Sequence, residues 1–174
     1  MSRYVITQDQ RRCIGCLACV VHCKVENNLP VGPRFCDILP VGPKEVNGVP
    51  RIFFVYMNCF HCEEAFCIKA CPTGAMTRRA KDGIVYVKEE LCIGCKSCMK
   101  ACPWGIPQWN PETGKVFKCH LCMHRLDRGE KPACVEGCTT SCLTFSTPEE
   151  ATRKTREQYA QKIAENLKAL LWES

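Results

Sequence analysis

Residues 92 to 103 read Cys-Ile-Gly-Cys-Lys-Ser-Cys-Met-Lys-Ala-Cys-Pro, and no other stretch of the sequence restricts its fold as tightly. Cys92, Cys95 and Cys98 are separated by two residues each, Cys102 follows after three more, and Pro103 stands directly behind it. Thiolates are soft ligands that suit iron-sulfur clusters and zinc. Three at this spacing can wrap one curl of backbone around three corners of a cubic iron-sulfur cluster. Gly94 is expected to let the main chain pass close to inorganic sulfide, with no Cβ in the way. The fourth thiol then points elsewhere, so one such run asks for a second in the same chain.

Three further runs are present. Cys13, Cys16, Cys19 and Cys23 repeat the spacing, with Lys24 where a proline would stand. Cys59, Cys62, Cys67 and Cys71 widen the second gap to four residues and are followed by Pro72. Cys119, Cys122, Cys134 and Cys138 place eleven residues in that gap. In chain order these are runs one, two and four around the third, at 92 to 102.

Zinc is the rival metal, since structural zinc takes two Cys-x-x-Cys knuckles per ion. Run four alone fits that pattern tolerably. Runs one and three do not, because a third cysteine two residues on is surplus to a knuckle. The 18 cysteines in 174 residues also raise a disulfide scaffold. Such scaffolds belong to short secreted chains, and the N-terminal stretch has no apolar segment of signal-peptide length. Cytoplasmic localisation is therefore expected, with export in folded form beside a signal-bearing partner as the alternative. No apolar run approaches the roughly 18 residues of a membrane helix, so direct membrane insertion is not expected.

The formal charge of +6 invites a nucleic-acid reading. Four thiolates around a 2+ core leave roughly −2 per cluster, so four clusters add about −8 and make the loaded protein slightly acidic. Nucleic acid is thus not an expected partner. Lys69, Lys96, Lys100 and Lys118, each close to a candidate ligand, are read as internal compensation, against the plainer view of solvated lysines.

Between the runs, Tyr4 to Thr7 reads as a short strand. Leu-Pro-Val-Gly-Pro occurs at 29 to 33 and at 39 to 43 and is read as two similar turns flanking a strand at Phe35 to Leu39. The turn pair Asn47-Gly48 leads to a second strand at Arg51 to Met57. Cys36 lies outside every run and reads as a small core residue. Ala75 to Arg78 and Ile84 to Val87 flank Asp82-Gly83 as a hairpin, so residues 58 to 110 form one run-hairpin-run unit. Runs one and four remain to pair around it, with Leu143 to Ser146 closing against Tyr4 to Thr7. The expected fold class is α+β: two nested ferredoxin-like modules with short antiparallel hairpins, plus a C-terminal helix. The body spans 1–147, with an outer module (1–28 with 115–147), an inner module (58–110) and a hairpin insert (29–57). His22, His120 and His124 adjoin the runs, but complete four-cysteine sets leave them no ligand position.

The third run resembles that of bacterial two-cluster ferredoxins. All four runs in order resemble the four-cluster iron-sulfur subunits of the dimethyl sulfoxide reductase and formate hydrogenlyase type, over residues 3 to about 147. Particularly similar are Asn-Cys-Phe-His-Cys-Glu-Glu at 58 to 64, Lys-Ala-Cys-Pro-Thr-Gly-Ala-Met at 69 to 76 and Ala-Cys-Pro-Trp-Gly-Ile-Pro-Gln-Trp-Asn at 101 to 110. The resemblance implies four 4Fe-4S clusters and their ligand sets. Cys13, Cys16 and Cys19 take Cys138; Cys119, Cys122 and Cys134 take Cys23; Cys59, Cys62 and Cys67 take Cys102; Cys92, Cys95 and Cys98 take Cys71. One departure is Cys138-Thr139 where the family has Cys-Pro, with Cys142 four residues on as the competing ligand. The three-residue gap from Cys134 favours Cys138.

The function implied is electron relay and not catalysis, since no nucleotide- or flavin-binding motif accompanies the cysteines. The expected partner is a larger catalytic subunit with a molybdenum or tungsten pterin cofactor, of the dimethyl sulfoxide reductase type or the tungsten aldehyde oxidoreductase type. A flavin or membrane redox subunit is a further partner consistent with the resemblance. A hydrogenase or formate hydrogenlyase complex is the alternative setting, and a zinc-built interaction module the third.

Residues 148–174 lie beyond the resemblance. Thr147 suits an N-cap, Pro148 the first helical position, and Glu150 completes a capping box. Tyr159, Ile163, Leu167 and Leu170 share one face of the expected amphipathic helix, with Ala160, Ala164 and Leu171 beside them. Its length, roughly 35 to 40 Å, exceeds what a small body can cover. The apolar stripe is therefore expected to dock on another polypeptide, the catalytic subunit or a second copy.

Overall fold

The computed structural model describes the backbone of residues 3–172 and the side-chain environments of residues 3–166. Its elements run β1 (Val5–Gln8), α1 (Ala18–Glu26), β2 (Asp37–Val46), β3 (Val49–Met57), α2 (Phe66–Lys69), β4 (Met76–Arg78), β5 (Val85–Val87), α3 (Ser97–Ala101), β6 (Gln108–Asn110), β7 (Lys115–Phe117), α4 (Met123–Leu126), α5 (Ala133–Glu136), β8 (Leu143–Ser146) and α6 (Pro148–Trp172). The strands form four antiparallel pairs, β1 with β8, β2 with β3, β4 with β5 and β6 with β7. This is a small mixed α+β fold of short hairpins, with one pairing that joins the two ends of the body.

The closing pair sets Val5 opposite Ser146 and Gln8 opposite Leu143, one residue later on the first strand than its β-branched residues suggested. Met76 opposite Val87 and Arg78 opposite Val85 form the expected hairpin. Its Asp82 carboxylate is buried, paired with Arg79 and accepting from the Ile84 amide at 3.2 Å. That satisfies a group that burial would otherwise penalise by an amount on the order of several kcal/mol.

The insert differs from expectation. β2 and β3 are longer than the two runs read from composition, and the second Leu-Pro-Val-Gly-Pro lies inside β2 instead of forming a turn. The register slips between Val41 and Lys44, which is how a Gly-Pro pair is absorbed in a two-stranded ribbon. A Cβ on Gly42 would sit 2.8 Å from the Arg51 carbonyl, at a φ of 122°, so glycine is required there. The turn at Asn47-Gly48 has positive φ at both residues, as a tight hairpin demands.

Two apolar clusters fill the body. One gathers Val20, Phe35, Ile38, Tyr56, Val135 and Leu143 with buried cysteines, Cys36 among them; the other gathers Ala65, Met76, Val85 and Val116 around Cys98. Charged links tie the parts together. Arg125 reaches Glu26 of α1 at 2.9 Å and also Glu136 of α5, while Arg79 of the β4–β5 hairpin reaches Asp127, just past α4, at 2.7 Å.

α6 begins with the expected capping box, in which the Thr147 amide donates to Glu150 at 2.9 Å and the Glu150 amide donates to Thr147 Oγ1 at 3.2 Å. Residues 152 to 166 are exposed throughout, including Tyr159 and Ile163. The side chains of Leu167, Lys168, Leu170 and Leu171 lie outside the described residues. Among the described residues no helix is long and apolar enough to cross a membrane.

Candidate functional site

Each cysteine run opens with the same backbone turn. The residue ahead of the second cysteine has positive φ in all four: Gly15 at 70°, His61 at 46°, Gly94 at 69° and Leu121 at 52°. This turn curls the chain so that amide N–H groups face inward; the His61 amide, for example, donates to Cys59 Sγ at 3.4 Å. Glycine adopts the conformation freely, whereas His61 and Leu121 hold it at about 1–2 kcal/mol each. Both are 2% exposed, so packing supplies the constraint. Gly94 is also constrained by protein neighbours. A Cβ there would lie 2.5 Å from the Gly114 carbonyl and 3.2 Å from the Trp109 ring, so the glycine is required against protein neighbours.

The helices that follow raise the third thiols. Cys19 on α1 and Cys98 on α3 are buried, each two residues past a left-handed residue, Leu17 and Lys96 respectively. The fourth cysteine of each run is carried away to a different neighbourhood. Cys71 joins Cys92, Cys95 and Cys98 around one cavity, with Met76, Val87 and Val116. Cys102 joins Cys59, Cys62 and Cys67 around a second, with Ile106 and Lys118. Cys23 joins Cys119, Cys122 and Cys134 around a third, with Cys36, Tyr56 and Phe35. For the remaining four, Cys13, Cys19 and Cys138 share one apolar cluster, and exposed Cys16 lies 3.8 Å from Thr139 beside Cys138.

Electrostatics bears on what can occupy such cavities. Burial pushes the thiols of Cys19 and Cys119 up to about 12 and that of Cys98 up to about 11, with neighbouring cysteines adding to each. Thiolates crowded this way are stable only around a cationic core. Among the described residues no three His, Cys, Asp or Glu side chains converge as a single metal ion would need. The thiols line voids instead of meeting at a point, and that donor set suits a cluster better than zinc.

The buried Tyr56 hydroxyl faces the Cys134 thiol in one cavity, and in another the buried His61 Nε2 beside Cys59 and Cys62 lacks a partner. Amide hydrogen bonds reach other sulfurs, from Met76 to Cys71 at 3.4 Å and from Val116 to Cys92 at 3.5 Å. A sulfur acceptor in the void would satisfy His61 in the same way.

Sequence alone does not single out Tyr56, His61 or Asn27, whose side-chain amide reaches Cys23 Sγ at 3.7 Å. The only signal is the place of His61 inside the Cys-x-x-Cys turn. His120 also lies inside a Cys-x-x-Cys turn and lines the third cavity, and its Nδ1 accepts from the Met123 amide at 3.3 Å; His22 is exposed, and His124 pairs with Glu26 at 2.6 Å. Of the four lysines beside candidate ligands, Lys69 and Lys100 are exposed and Lys96 lies over the Trp109 ring at 3.9 Å. Lys118 alone is buried.

Comparison with known proteins points to iron-sulfur clusters. Two 4Fe-4S dicluster domain models match, one over residues 50–148 and one over residues 12–75. The chain is 42% identical over 152 residues to the thiosulfate reductase electron transfer subunit PhsB of Salmonella typhi, covering 86% of this chain and 79% of that one. It is 39% identical over 160 residues to the B subunit of the anaerobic dimethyl sulfoxide reductase of Escherichia coli (strain K12), covering 88% and 78%. Protein NrfC of the same organism is 37% identical over 161 residues, covering 92% and 72%. Two dicluster domains imply four 4Fe-4S clusters, which eighteen cysteines can supply. This chain belongs to the 4Fe-4S dicluster family of ferredoxin-like electron-transfer subunits.

Proposed function

We propose that this chain relays electrons between a larger catalytic subunit with a molybdenum or tungsten pterin cofactor and a second redox partner. The ligand sets are Cys13, Cys16, Cys19 and Cys138; Cys119, Cys122, Cys134 and Cys23; Cys59, Cys62, Cys67 and Cys102; and Cys92, Cys95, Cys98 and Cys71. The observation that carries this reading is the mixing of runs in three cavities, each lined by three thiols of one run and the last thiol of another, with Cys36 as a further thiol in the third. When bound, a 4Fe-4S cluster takes up and gives on one electron without making or breaking a bond on the protein.

The residues hold the sites in place, bury Cys19, Cys23, Cys98, Cys119, Cys122 and Cys134 while leaving Cys16 and Cys95 exposed and the other ligands half-buried, and direct amide N–H groups at sulfur. In domain terms, 58–110 is an inner module nested within an outer one of 1–28 with 115–147. The insert 29–57 separates their first segments in the chain, and 148–174 serves assembly. Pairing of β1 with β8 supports the outer closure.

The names of PhsB and of the dimethyl sulfoxide reductase subunit support a reductase as partner; that it carries molybdenum, or tungsten as in the aldehyde oxidoreductase type, is part of the proposal. The test is metal analysis of the native complex purified anaerobically. About sixteen iron and sixteen sulfide per chain are expected, with molybdenum or tungsten in the larger subunit. Zinc without sulfide would end the cluster reading, and a complex lacking both heavier metals would end the partner reading.

A further inference from the structure

Among the described residues, His61 and Lys118 are the two most deeply buried of the buried polar and charged side chains, at 2% and 3% exposure. Both line the cavity of Cys59, Cys62, Cys67 and Cys102. Lys118 also directly precedes Cys119, which lines the cavity of Cys23, Cys122 and Cys134. The two side chains therefore stand at the seam between two thiol sets, one from the inner module and one from the outer.

A single residue positions both. Val85, 1% exposed at the start of β5, donates its amide to His61 Nδ1 at 3.0 Å and accepts from Lys118 Nζ through its carbonyl. Lys118 Nζ also donates to the Cys119 carbonyl at 2.6 Å. Among the described residues no carboxylate pairs with Lys118, although an unpaired buried cation is costly. Because His61 Nδ1 accepts, the neutral ring carries its hydrogen on Nε2, and that donor is buried without a partner. A cation with no counter-charge and a donor with no acceptor share one cavity wall. Thiolate ligation around a 2+ core supplies both needs, with a net charge of roughly −2 and sulfur acceptors.

Resting on the four-cluster reading above, we infer that Lys118 and His61 form a polar junction in the electron path. Lys118 raises the reduction potential of the clusters on both sides of the seam, and the His61 Nε2–H donates to sulfur at the inner one. A fixed positive charge stabilises the reduced, more negative state of each neighbouring cluster, and its effect fades with distance. The pair adjoining the seam is thereby set apart from the two outlying clusters.

The test uses the full chain in its native complex, purified anaerobically, in wild-type form and as Lys118→Met, Lys118→Gln, Lys118→Arg and His61→Gln. Iron and sulfide are measured first, followed by spectroscopically monitored redox titration of each cluster. The expected result is a shift to lower potential of two of the four clusters in Lys118→Met and Lys118→Gln, with the other two unmoved. Lys118→Arg, which keeps the charge, and His61→Gln, which offers an amide donor, stay near wild type. Fully loaded neutral variants whose four potentials are unmoved, or all move alike, overturn the inference. Loss of iron from both neutral variants also overturns it, because Lys118 would then serve the fold alone. A wild-type complex without the expected iron and sulfide would instead defeat the four-cluster reading itself.

Discussion

Cys138 Sγ lies 3.4 Å from Cys142 Sγ, and the two thiols are not equivalent. Burial opposes ionisation of Cys138, but the Leu143 amide and the Cys142 thiol hydrogen-bond it and hold it below the ordinary thiol range. Burial pushes Cys142 up to about 12. Cys138 is thus the proposed ligand and Cys142 its hydrogen-bond donor. Cys142→Ala should keep all four clusters, whereas Cys138→Ala should lose about four of sixteen irons. Iron analysis of the two variants checks this, and the opposite pattern would exchange the two roles.

The crossing of runs makes a second claim. Cys71 lines the cavity of Cys92, Cys95 and Cys98 and not that of its own run. Cys71→Ser should therefore damage the cluster held by run three and leave the one at Cys59, Cys62 and Cys67 less disturbed. Spectroscopy that resolves the clusters distinguishes this from loss confined to run two.

Loading should release protons. With no cluster bound, Cys19, Cys98 and Cys119 are held above the ordinary thiol value of 9.0, at about 12, 11 and 12, chiefly by burial. At neutral pH they are protonated, so cluster assembly must expel those protons, and acid opposes it. For the cluster-free fold the sign reverses. A raised thiol pKa contributes stability that is intact below pH 9.0 and is lost as pH rises through about 11 to 12. A pH-stat during reconstitution measures the first effect, and circular dichroism of the cluster-free protein against pH the second.

Gly94→Ala should be poorly tolerated. Its φ of 69° costs about 1–2 kcal/mol for a residue with a Cβ, and the contact with the Gly114 carbonyl at 2.5 Å adds overpacking of about 1–3 kcal/mol. Gly48→Ala should cost only the conformational part, because nothing lies within 4 Å of its Cβ position. Thermal unfolding of the two variants gives the comparison, and equal losses would show that the Gly94 neighbours yield.

Truncation after Thr147 removes α6 with its exposed Tyr159 and Ile163. All four clusters should survive while assembly with the partner subunit, or with a second copy, weakens. Size-exclusion chromatography of the complex checks the second half. A truncated protein that assembles normally, or that loses iron, would place the helix in the fold and not in an interface.

Much of this protein was legible in order along the sequence. Thiol spacing is a local property, and the turn at each Cys-x-x-Cys, the hairpin at Asp82-Gly83 and the capping box at Thr147 are set by residues within a few positions of one another. The β1–β8 closure could be anticipated because runs one and four had no other partner.

The insert was less legible, since a Gly-Pro pair marks a turn or a strand irregularity equally well. The close approach of Gly42 to the Arg51 carbonyl across the ribbon decides between them. His61 and Tyr56 were beyond reach for a related reason, and the sequence named Lys118 only as one of four lysines close to candidate ligands. Their importance lies in being buried, whether unpartnered, facing a thiol or charged, and burial depends on neighbours such as Val85, 24 residues from His61. Local rules name the ligands; the packing of distant segments selects which thiols share a cavity and which polar groups face it.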